Sequence, residues 1–300
     1  MRVFVTGATG VLGRATITSL LDQGHQVTGL LRTPQKRAVV ESLGASTAQA
    51  DLLDLASMTN ALQGFDGVCN LVTSIPVGVR AMRRGAWKDN DRLRIEGSQT
   101  VMAAAKAAGV RRLVQESVSF MYADGGDEWI TESSPLAVTR ATEPAAIAEC
   151  NASRFDCKSR GSVVLRFGNL VGDDAMTRWR LVQARSGRPI GIGNPDGWAH
   201  VVHPEDAGSA VAAALEAPGG LYNVGADPVR RADMVAVFAE AAGRPRLGFL
   251  PKGVVKVAGE GLEPLTRSHR ISAASLHEAT GWLPRHGIFE VSWLHDAVSR

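Results

Sequence analysis

The segment from Arg2 to Gly13 reads RVFVTGATGVLG, an apolar run that leads into three glycines spaced three residues apart. We expect Val3–Val5 to form a strand, Gly7 to allow a tight turn, and Gly10 to let the backbone approach a diphosphate without an intervening Cβ. The third glycine lets the following helix lie close to the strand. The pattern therefore predicts a dinucleotide loop whose helix directs its positive dipole end at the phosphates.

Composition excludes several classes of protein. The 300 residues are 45% hydrophobic with a formal net charge of +3, which is not the profile of a nucleic-acid binder. No apolar stretch reaches the roughly 18 residues of a membrane helix. The first predicted strand begins at residue 2, so we expect no signal peptide, no membrane partner and a cytoplasmic location. Cys69, Cys150 and Cys157 lack metal-ligand spacing and are expected to be free thiols.

Strand-like runs alternate with helical patterns through the first two thirds of the chain. The predicted strands are Val3–Val5, Gln26–Leu31, Ala45–Gln49, Gly67–Val72, Leu113–Glu116 and Val163–Arg166, and the predicted helices cover residues 10–23, 35–43, 55–63, 91–108 and 142–154. This alternation predicts an α/β Rossmann fold, a doubly wound parallel sheet covered on both faces. We assign residues 1–168 to a dinucleotide-binding domain, to which segments around 200–224 return, and residues 169–300 mainly to a smaller, interleaved substrate lobe.

The end of the second strand indicates which dinucleotide binds. No acid stands between Asp22 and Glu41, and the segment carries Arg32, Lys36 and Arg37 instead. An acid there would bind a ribose 2′-hydroxyl and repel a 2′-phosphate, so the sequence favours NADPH/NADP with Arg32 as the phosphate contact. The other two cations are equally well explained as solvated helix residues. The candidate cofactor-binding residues are Gly7, Thr9, Gly10, Val11, Leu12, Gly13, Arg32, Asp51, Leu52, Leu71, Val72 and Thr73.

The third and fourth strands contribute the remaining cofactor candidates. Asp51 follows the third strand and can accept a hydrogen bond from the adenine amino group, with the backbone of Leu52 beside it. Asp54 is expected to cap the next helix. The end of the fourth strand, Leu71–Thr73, is expected to pass beside the nicotinamide ribose.

The chain resembles the extended short-chain dehydrogenases/reductases of the NAD-dependent epimerase/dehydratase family. The segments that carry the resemblance span nearly the whole chain in the family's order: Thr6–Gly13, Asp51–Leu52, Ile95–Gly97, Leu165–Asn169, His200–Asp206, Tyr222–Val224 and Gly281–Pro284. The chain is also similar to actinobacterial tailoring reductases, and an angucyclinone ketoreductase of the simocyclinone type is the narrowest expectation that the resemblance gives.

The chain departs from the family at its catalytic signature. The resemblance implies a Tyr followed four residues later by a Lys, on the helix after the fifth strand. That helix, residues 141–151, reads ATEPAAIAECN. There is no Tyr between Tyr122 and Tyr222 and no Lys between Lys106 and Lys158. Losing the general acid costs roughly 10²–10⁴-fold in rate, so we expect the proton to come from water, another side chain or the substrate.

Three hydroxyl groups near the end of the fifth strand are the catalytic candidates. The family's usual hydroxyl position falls on Val118, and Ser117 and Ser119 flank it. Each serine is also compatible with an ordinary position at a strand end. Tyr122 is a second candidate proton donor, and packing is the alternative role for it. A ketone beside a phenol takes its proton internally, which favours aromatic polyketide-like substrates.

The substrate side carries basic and aromatic residues. The loop of residues 74–94 contains Pro76, Arg80, Met82, Arg83, Arg84, Trp87, Arg92 and Arg94. It either closes over the nicotinamide and grips an acidic or flat aromatic ligand or is a solvated surface loop. Possible pocket walls in the second lobe are Met176, Trp179, Trp198 and His200. His203 and Asp206 resemble the family's turn into a helix, and no metal site is predicted.

The sequence thus predicts an NADPH-dependent ketoreductase that acts on a small molecule, an aromatic ketone, in antibiotic biosynthesis and polyketide tailoring. Two alternatives stay open. One is a sugar-nucleotide epimerase or dehydratase, although these reactions need the Tyr base. The other is a non-catalytic NADP-binding redox sensor, which explains the lost residues. Homodimers are frequent in the family, although nothing in the sequence specifies an interface.

Overall fold

The computed structural model describes residues 1–83, 85–251, 253–254, 256 and 259–298, without the side chains of Met82 and Glu260. Its strands are β1 (Arg2–Thr6), β2 (Gln26–Leu31), β3 (Ser46–Gln49), β4 (Gly67–Asn70), β5 (Arg112–Val118), β6 (Trp129–Ile130), β7 (Gly161–Phe167), β8 (Asn169–Leu170), β9 (Trp198–Ala199), β10 (Val201–Val202), β11 (Gly220–Val224), β12 (Val229–Arg230) and β13 (Arg270–Ile271). These bounds agree closely with the strands predicted for the first two thirds of the chain.

Helices alternate with these strands. They are α1 (Val11–Asp22), α2 (Arg37–Glu41), α3 (Leu55–Ala61), α4 (Lys88–Arg92), α5 (Ser98–Ala107), α6 (Glu143–Ser153), α7 (Ala175–Arg185), α8 (Pro204–Ala214), α9 (Arg231–Ala241), α10 (Ala274–Thr280) and α11 (His295–Val298). A π-helical turn, Leu93–Gly97, joins α4 to α5. Among the residues that the structure describes, no helix is both long and apolar enough to cross a bilayer.

Seven of the strands form one parallel sheet in the order β11-β7-β5-β4-β1-β2-β3. The order reverses between β1 and β4, which is where a doubly wound sheet opens a ligand crevice at its carboxyl edge. The predicted doubly wound α/β fold is therefore confirmed.

Each face of the sheet is covered by its own apolar cluster. On one face Val5 of β1 packs with Ile17 of α1 and Val211 of α8. On the other face Phe4 packs with Met58 of α3 and Val101 of α5. Neighbouring residues of one strand therefore enter opposite clusters, which is why a central strand such as β1 reads as a continuous apolar run.

The second lobe forms around a third apolar cluster. Leu181 of α7, Phe238 of α9 and Trp293 pack there. This part of the chain also contains two short strand pairs. β8 pairs with β10 in parallel, and β9 pairs with β12 in antiparallel orientation. The chain then returns to the main sheet through β11, which pairs with β7.

Candidate functional site

The glycine loop after β1 packs tightly against the end of β4. Gly7 has φ +68°, and a Cβ built on it would lie 2.7 Å from the carbonyl oxygen of Leu71. A Cβ on Gly13 would lie 2.2 Å from the carbonyl oxygen of Gly7. Around Gly10 the nearest atom is that same oxygen at 3.2 Å, and the residue is exposed. Gly7 and Gly13 are therefore required by packing, whereas a Cβ on the exposed Gly10 would make one tight contact, with the Gly7 carbonyl oxygen.

The first turn of α1 presents unpaired backbone donors. Gly10 precedes the helix without a side-chain cap, and no acid occupies the first turn. The Gly10 amide donates to the Gly7 carbonyl oxygen at 2.9 Å, and the Arg14 amide donates to the Gly10 carbonyl oxygen at 3.0 Å. The amides of residues 11–13 between them therefore have no acceptor within the helix. These donors and the open surface at Gly10 fit the diphosphate of a dinucleotide.

A buried hydrogen-bond chain links three neighbouring strands of the sheet. Thr6 Oγ1 donates to Asn70 Oδ1 at 2.7 Å, and Asn70 Nδ2 donates to Gln115 Oε1 at 2.8 Å. The amide of Leu71 donates to Thr6 Oγ1 rather than to a neighbouring strand. This side-chain bond explains why β4 ends at Asn70 instead of the predicted Val72.

The adenosine side of the crevice carries an uncompensated cation. Arg32 is exposed after β2 and makes no hydrogen bond or ion pair within the described ranges. Arg37 instead lies 3.8 Å from Glu41 on the same helix. Arg32, like the exposed Lys36, is thus a cation left available for an anionic ligand.

The third strand supplies an exposed carboxylate beside a buried leucine. Asp51 Oδ1 accepts from the amide of Leu53 at 2.9 Å, and Leu52 lies in the apolar core. Asp54 accepts from the Ser57 amide at 2.6 Å and caps α3, as expected. Among the other predicted cofactor residues, the structure buries Leu12, Gly13 and Leu71 and leaves Thr9, Val11, Val72 and Thr73 half-buried.

The catalytic candidates do not converge on one point. Ser117 Oγ donates to Glu149 Oε1 at 2.6 Å, and the same carboxylate accepts two bonds from Arg166 at 2.8 and 2.7 Å. Tyr122 is fully buried, and its hydroxyl donates to Asn223 Oδ1 at 2.8 Å. Burial raises the pKa of this tyrosine above its ordinary value of 10.

Ser119 forms a separate buried pair with His200. Its Oγ lies 3.0 Å from Nδ1 of the imidazole, and both residues are buried. Burial lowers the pKa of His200 to about 3 from its ordinary value of 6.5. The helix α6 that follows β5 contains neither Tyr nor Lys. The hydroxyl groups near the end of β5 are therefore those of Ser117, Ser119 and Tyr122.

A buried ion pair beside this site was missed by the sequence analysis. The sequence pattern placed Arg94 in the basic loop of residues 74–94. In the structure it lies in the π-helical turn and donates to Glu116 Oε1 at 2.7 Å. Asn151 Nδ2 donates to the Ile95 carbonyl oxygen at 3.2 Å and stabilises that turn. The available signal was Glu116 itself, because an acid in a buried strand requires a cation.

Part of the loop of residues 74–94 packs against the second lobe. Gly78 has φ +61°, and a Cβ there would lie 2.6 Å from Nε1 of Trp179. Trp87 Nε1 donates to the Ala81 carbonyl oxygen at 3.0 Å. The helix α4 begins within the predicted loop, at Lys88. Arg84 lies outside the described residues.

A cavity opens between the end of the sheet and the second lobe. Its polar lining consists of Asn169, Arg180, Trp198, His200, Arg231 and His269, and its apolar walls include Phe120 and Phe238. Of the four predicted pocket walls, Trp198 and His200 line it, whereas Met176 and Trp179 do not. Burial lowers the pKa of His269 to about 4, so both lining histidines are neutral at pH 7.

His203, Asp206 and His286 form a cluster at the start of α8. Asp206 accepts hydrogen bonds from the backbone amides of Arg285 and His286 and lies 3.1 Å from His286 Nδ1. The ligand atoms of the three side chains lie within 4.8 Å of one another. Because the carboxylate already holds the C-terminal segment, this arrangement fits the structural turn that the sequence indicated.

Comparison with known proteins identifies the cofactor domain. Residues 7–187 match a family described as NAD(P)H-binding. A 3-diazoavenalumate denitrifying reductase from a Streptomyces species is 30% identical over 304 residues, which cover 95% of this chain and 97% of that protein. A 4-hydroxy-2-methyl-3-oxo-4-farnesyl-3,4-dihydroquinoline-1-oxide ketoreductase from Stigmatella aurantiaca is 30% identical over 45% of this chain and 39% of its own length.

A solved structure shares the fold over the whole chain. A nucleoside-diphosphate-sugar epimerase from Pseudomonas aeruginosa superposes with a TM-score of 0.82 at 18% identity, covering 100% of this chain and 96% of that one. The fold expected from the resemblance is therefore confirmed, and residues 7–187 belong to an NAD(P)H-binding family.

Proposed function

This chain belongs to the NAD(P)H-binding family and is an NAD(P)-dependent oxidoreductase, and we propose that it is a ketoreductase that uses NADPH to reduce an aromatic polyketide-like ketone. The narrowest form of the proposal is an angucyclinone ketone in antibiotic biosynthesis. The relative from Stigmatella, whose name describes a quinoline ketone as its substrate, supports reduction of a ring ketone.

The choice of NADPH is supported by the charge beside β2. Arg32 has no partner in the described part of the chain, and no acid lies near it in sequence to bind a ribose 2′-hydroxyl. A free guanidinium attracts the additional phosphate of NADPH. Bound NADPH would supply the hydride. The uncapped first turn of α1 and the exposed Gly10 would hold its diphosphate.

The proton has to come from outside the usual pair of residues. Ser117 already donates its proton to Glu149, and Tyr122 donates to Asn223. Ser119 is fully buried and is not part of the cavity lining. We therefore assign the proton to a phenol of the substrate or to water, while the protein positions the ketone and excludes bulk solvent.

One observation carries the proposal: the helix after β5 contains no Tyr or Lys, although the cofactor loop is intact. The test is to mix the protein with NADPH and a panel of phenolic ketones, matched ketones without the phenol, and sugar nucleotides, and to follow the absorbance of the reduced cofactor. We expect NADPH oxidation with the phenolic ketones and slower oxidation with the others. Conversion of sugar nucleotides without net NADPH oxidation would establish the epimerase instead. Tight NADPH binding without turnover of any compound would establish the sensor.

A further inference from the structure

The cavity between the end of the sheet and the second lobe, here called the lobe cavity, contains positive charge that no residue of its described lining neutralises. Two arginines, Arg180 and Arg231, line it, and no Asp or Glu occurs among the described residues that line it. His200 and His269 add no charge at pH 7, because burial keeps both imidazoles neutral. The cavity is therefore positive only through its arginines.

The two arginines differ in how their donors are used. Arg231 donates to three backbone carbonyl oxygens, those of Thr266 at 2.9 Å, Leu265 at 3.1 Å and Arg267. Its guanidinium is thereby fixed as part of the wall. Arg180 is half-buried and makes no hydrogen bond or ion pair with any residue that the structure describes. Its donors remain free to face a ligand.

The acid nearest to Arg180 in sequence is already used elsewhere. Asp174 caps α7, where its Oδ1 accepts from the amides of Met176 at 2.7 Å and Thr177 at 2.9 Å, and its Oδ2 accepts from the Thr177 hydroxyl. It acts on Arg180 only through space. Burial lowers the pKa of the Arg180 guanidinium, as expected for a desolvated cation without a direct partner.

A half-buried cation without a partner costs free energy that an anionic ligand can offset. We infer that Arg180 binds an anionic group of the substrate, a carboxylate or a phosphate, inside the lobe cavity. The planar guanidinium suits both groups, because each accepts two parallel hydrogen bonds. Phe120 and Phe238 would pack against the apolar part of the same molecule. This inference adds a substrate class to the proposed function and rests on it for the cavity's role.

Binding of small anions tests the inference without turnover. Benzoate, as the carboxylate probe, and uridine diphosphate, as the phosphate probe, are titrated calorimetrically into the NADP-loaded protein. We expect Arg180→Gln to weaken binding of one probe by about 10- to 100-fold, the range for a hydrogen bond to a charged group. The matched control is Arg188→Gln, which should leave binding unchanged. Arg188 is exposed, and among the described residues its side chain bonds Gln183 alone, at 2.9 Å.

The responding probe identifies the source of the negative charge. Loss of benzoate binding indicates an acidic substrate, and loss of uridine diphosphate binding indicates a nucleotide-linked one. If neither anion binds the wild type, or if Arg180→Gln binds both as the wild type does, the inference is overturned. Failure to oxidise NADPH with any ketone would defeat the proposed function and would leave these binding results intact.

A structural role for Arg180 makes different predictions. Because the guanidinium has no partner, Arg180→Gln should melt at the same temperature as the wild type or higher, and Arg180→Lys should retain most of the anion affinity. A lower melting temperature combined with unchanged anion affinity in Arg180→Gln would show that the residue supports the fold and binds no ligand.

Discussion

Ser119 Oγ lies 3.0 Å from Nδ1 of His200, and Nε2 of the same ring is buried with no hydrogen-bond partner among the residues described. A buried N–H without an acceptor costs more than a bare ring nitrogen in an apolar site. The neutral tautomer with its proton on Nδ1 is therefore favoured, and the imidazole donates to the serine. The pair holds the start of the second lobe against the end of β5.

This neutral histidine predicts an acid-sensitive fold. The pKa is about 3 for His200 and about 4 for His269 in the folded protein, against an ordinary value of 6.5. Below pH 6.5 the unfolded chain therefore binds protons that the folded chain does not. The contribution of these histidines to the free energy of unfolding is fully present above pH 6.5 and falls as the pH decreases toward 4. Each histidine contributes up to about 1.4 kcal/mol per pH unit.

Urea unfolding between pH 7.5 and 4.5 checks this prediction. His269→Gln should lower the slope of unfolding free energy against pH, whatever it does to the absolute stability. An unchanged slope in this variant would show that the imidazole titrates normally in the folded state.

The glycine loop predicts two different outcomes for two similar substitutions. A Cβ on Gly13 would collide with the Gly7 carbonyl oxygen at 2.2 Å, so Gly13→Ala should lower the melting temperature strongly. On Gly10 the nearest atom is 3.2 Å away and the residue is exposed, so Gly10→Ala should fold. The added methyl group would instead meet the diphosphate, and NADPH affinity should fall. Thermal melts and fluorescence titration measure the two effects, and tight NADPH binding by Gly10→Ala would contradict the assigned position of the phosphates.

The charge at Arg32 predicts a change in cofactor preference. In Arg32→Asp the carboxylate repels a 2′-phosphate and can accept from a 2′-hydroxyl, so NADPH binding should weaken far more than NADH binding. Dissociation constants for both nucleotides measure the ratio. Arg37→Asp is the matched control, because Arg37 already pairs with Glu41. Equal weakening of both nucleotides by Arg32→Asp would remove the 2′-phosphate assignment.

Local patterns predicted the central strands of the sheet well because these strands are apolar runs that fit no other element. Val3–Val5 and Gln26–Leu31 are bounded by glycine or charge, and their periodicity leaves no competing element. The same patterns ended β4 too late, because Leu71 and Val72 are apolar and only the Thr6 hydroxyl bond to the Leu71 amide shows where the strand stops.

The candidate site was harder to predict because its partners are distant in sequence. Arg94 pairs with Glu116, 22 residues away. Arg180 lines a cavity whose other residues come from several distant segments of the chain. A cation in a polar stretch looks the same in sequence whether it is solvated or buried. Only the fold shows that Arg231 donates to three carbonyl oxygens while Arg180 has no hydrogen-bond partner among the described residues.

Tyr122 provides the most direct check on how the proton is delivered. Its hydroxyl already donates to Asn223, and the Arg166 guanidinium lies 4.8 Å from its ring centre. We expect Tyr122→Phe to retain most of the wild-type kcat. Its free energy of unfolding should fall by about 1–3 kcal/mol, because Asn223 Oδ1 loses its buried donor. Tyr222→Phe is the matched control, since the Tyr222 hydroxyl donates only to the Pro218 carbonyl oxygen at 3.0 Å. If kcat instead falls by roughly 10²–10⁴-fold with the fold preserved, Tyr122 is the general acid, and the substrate phenol is not needed.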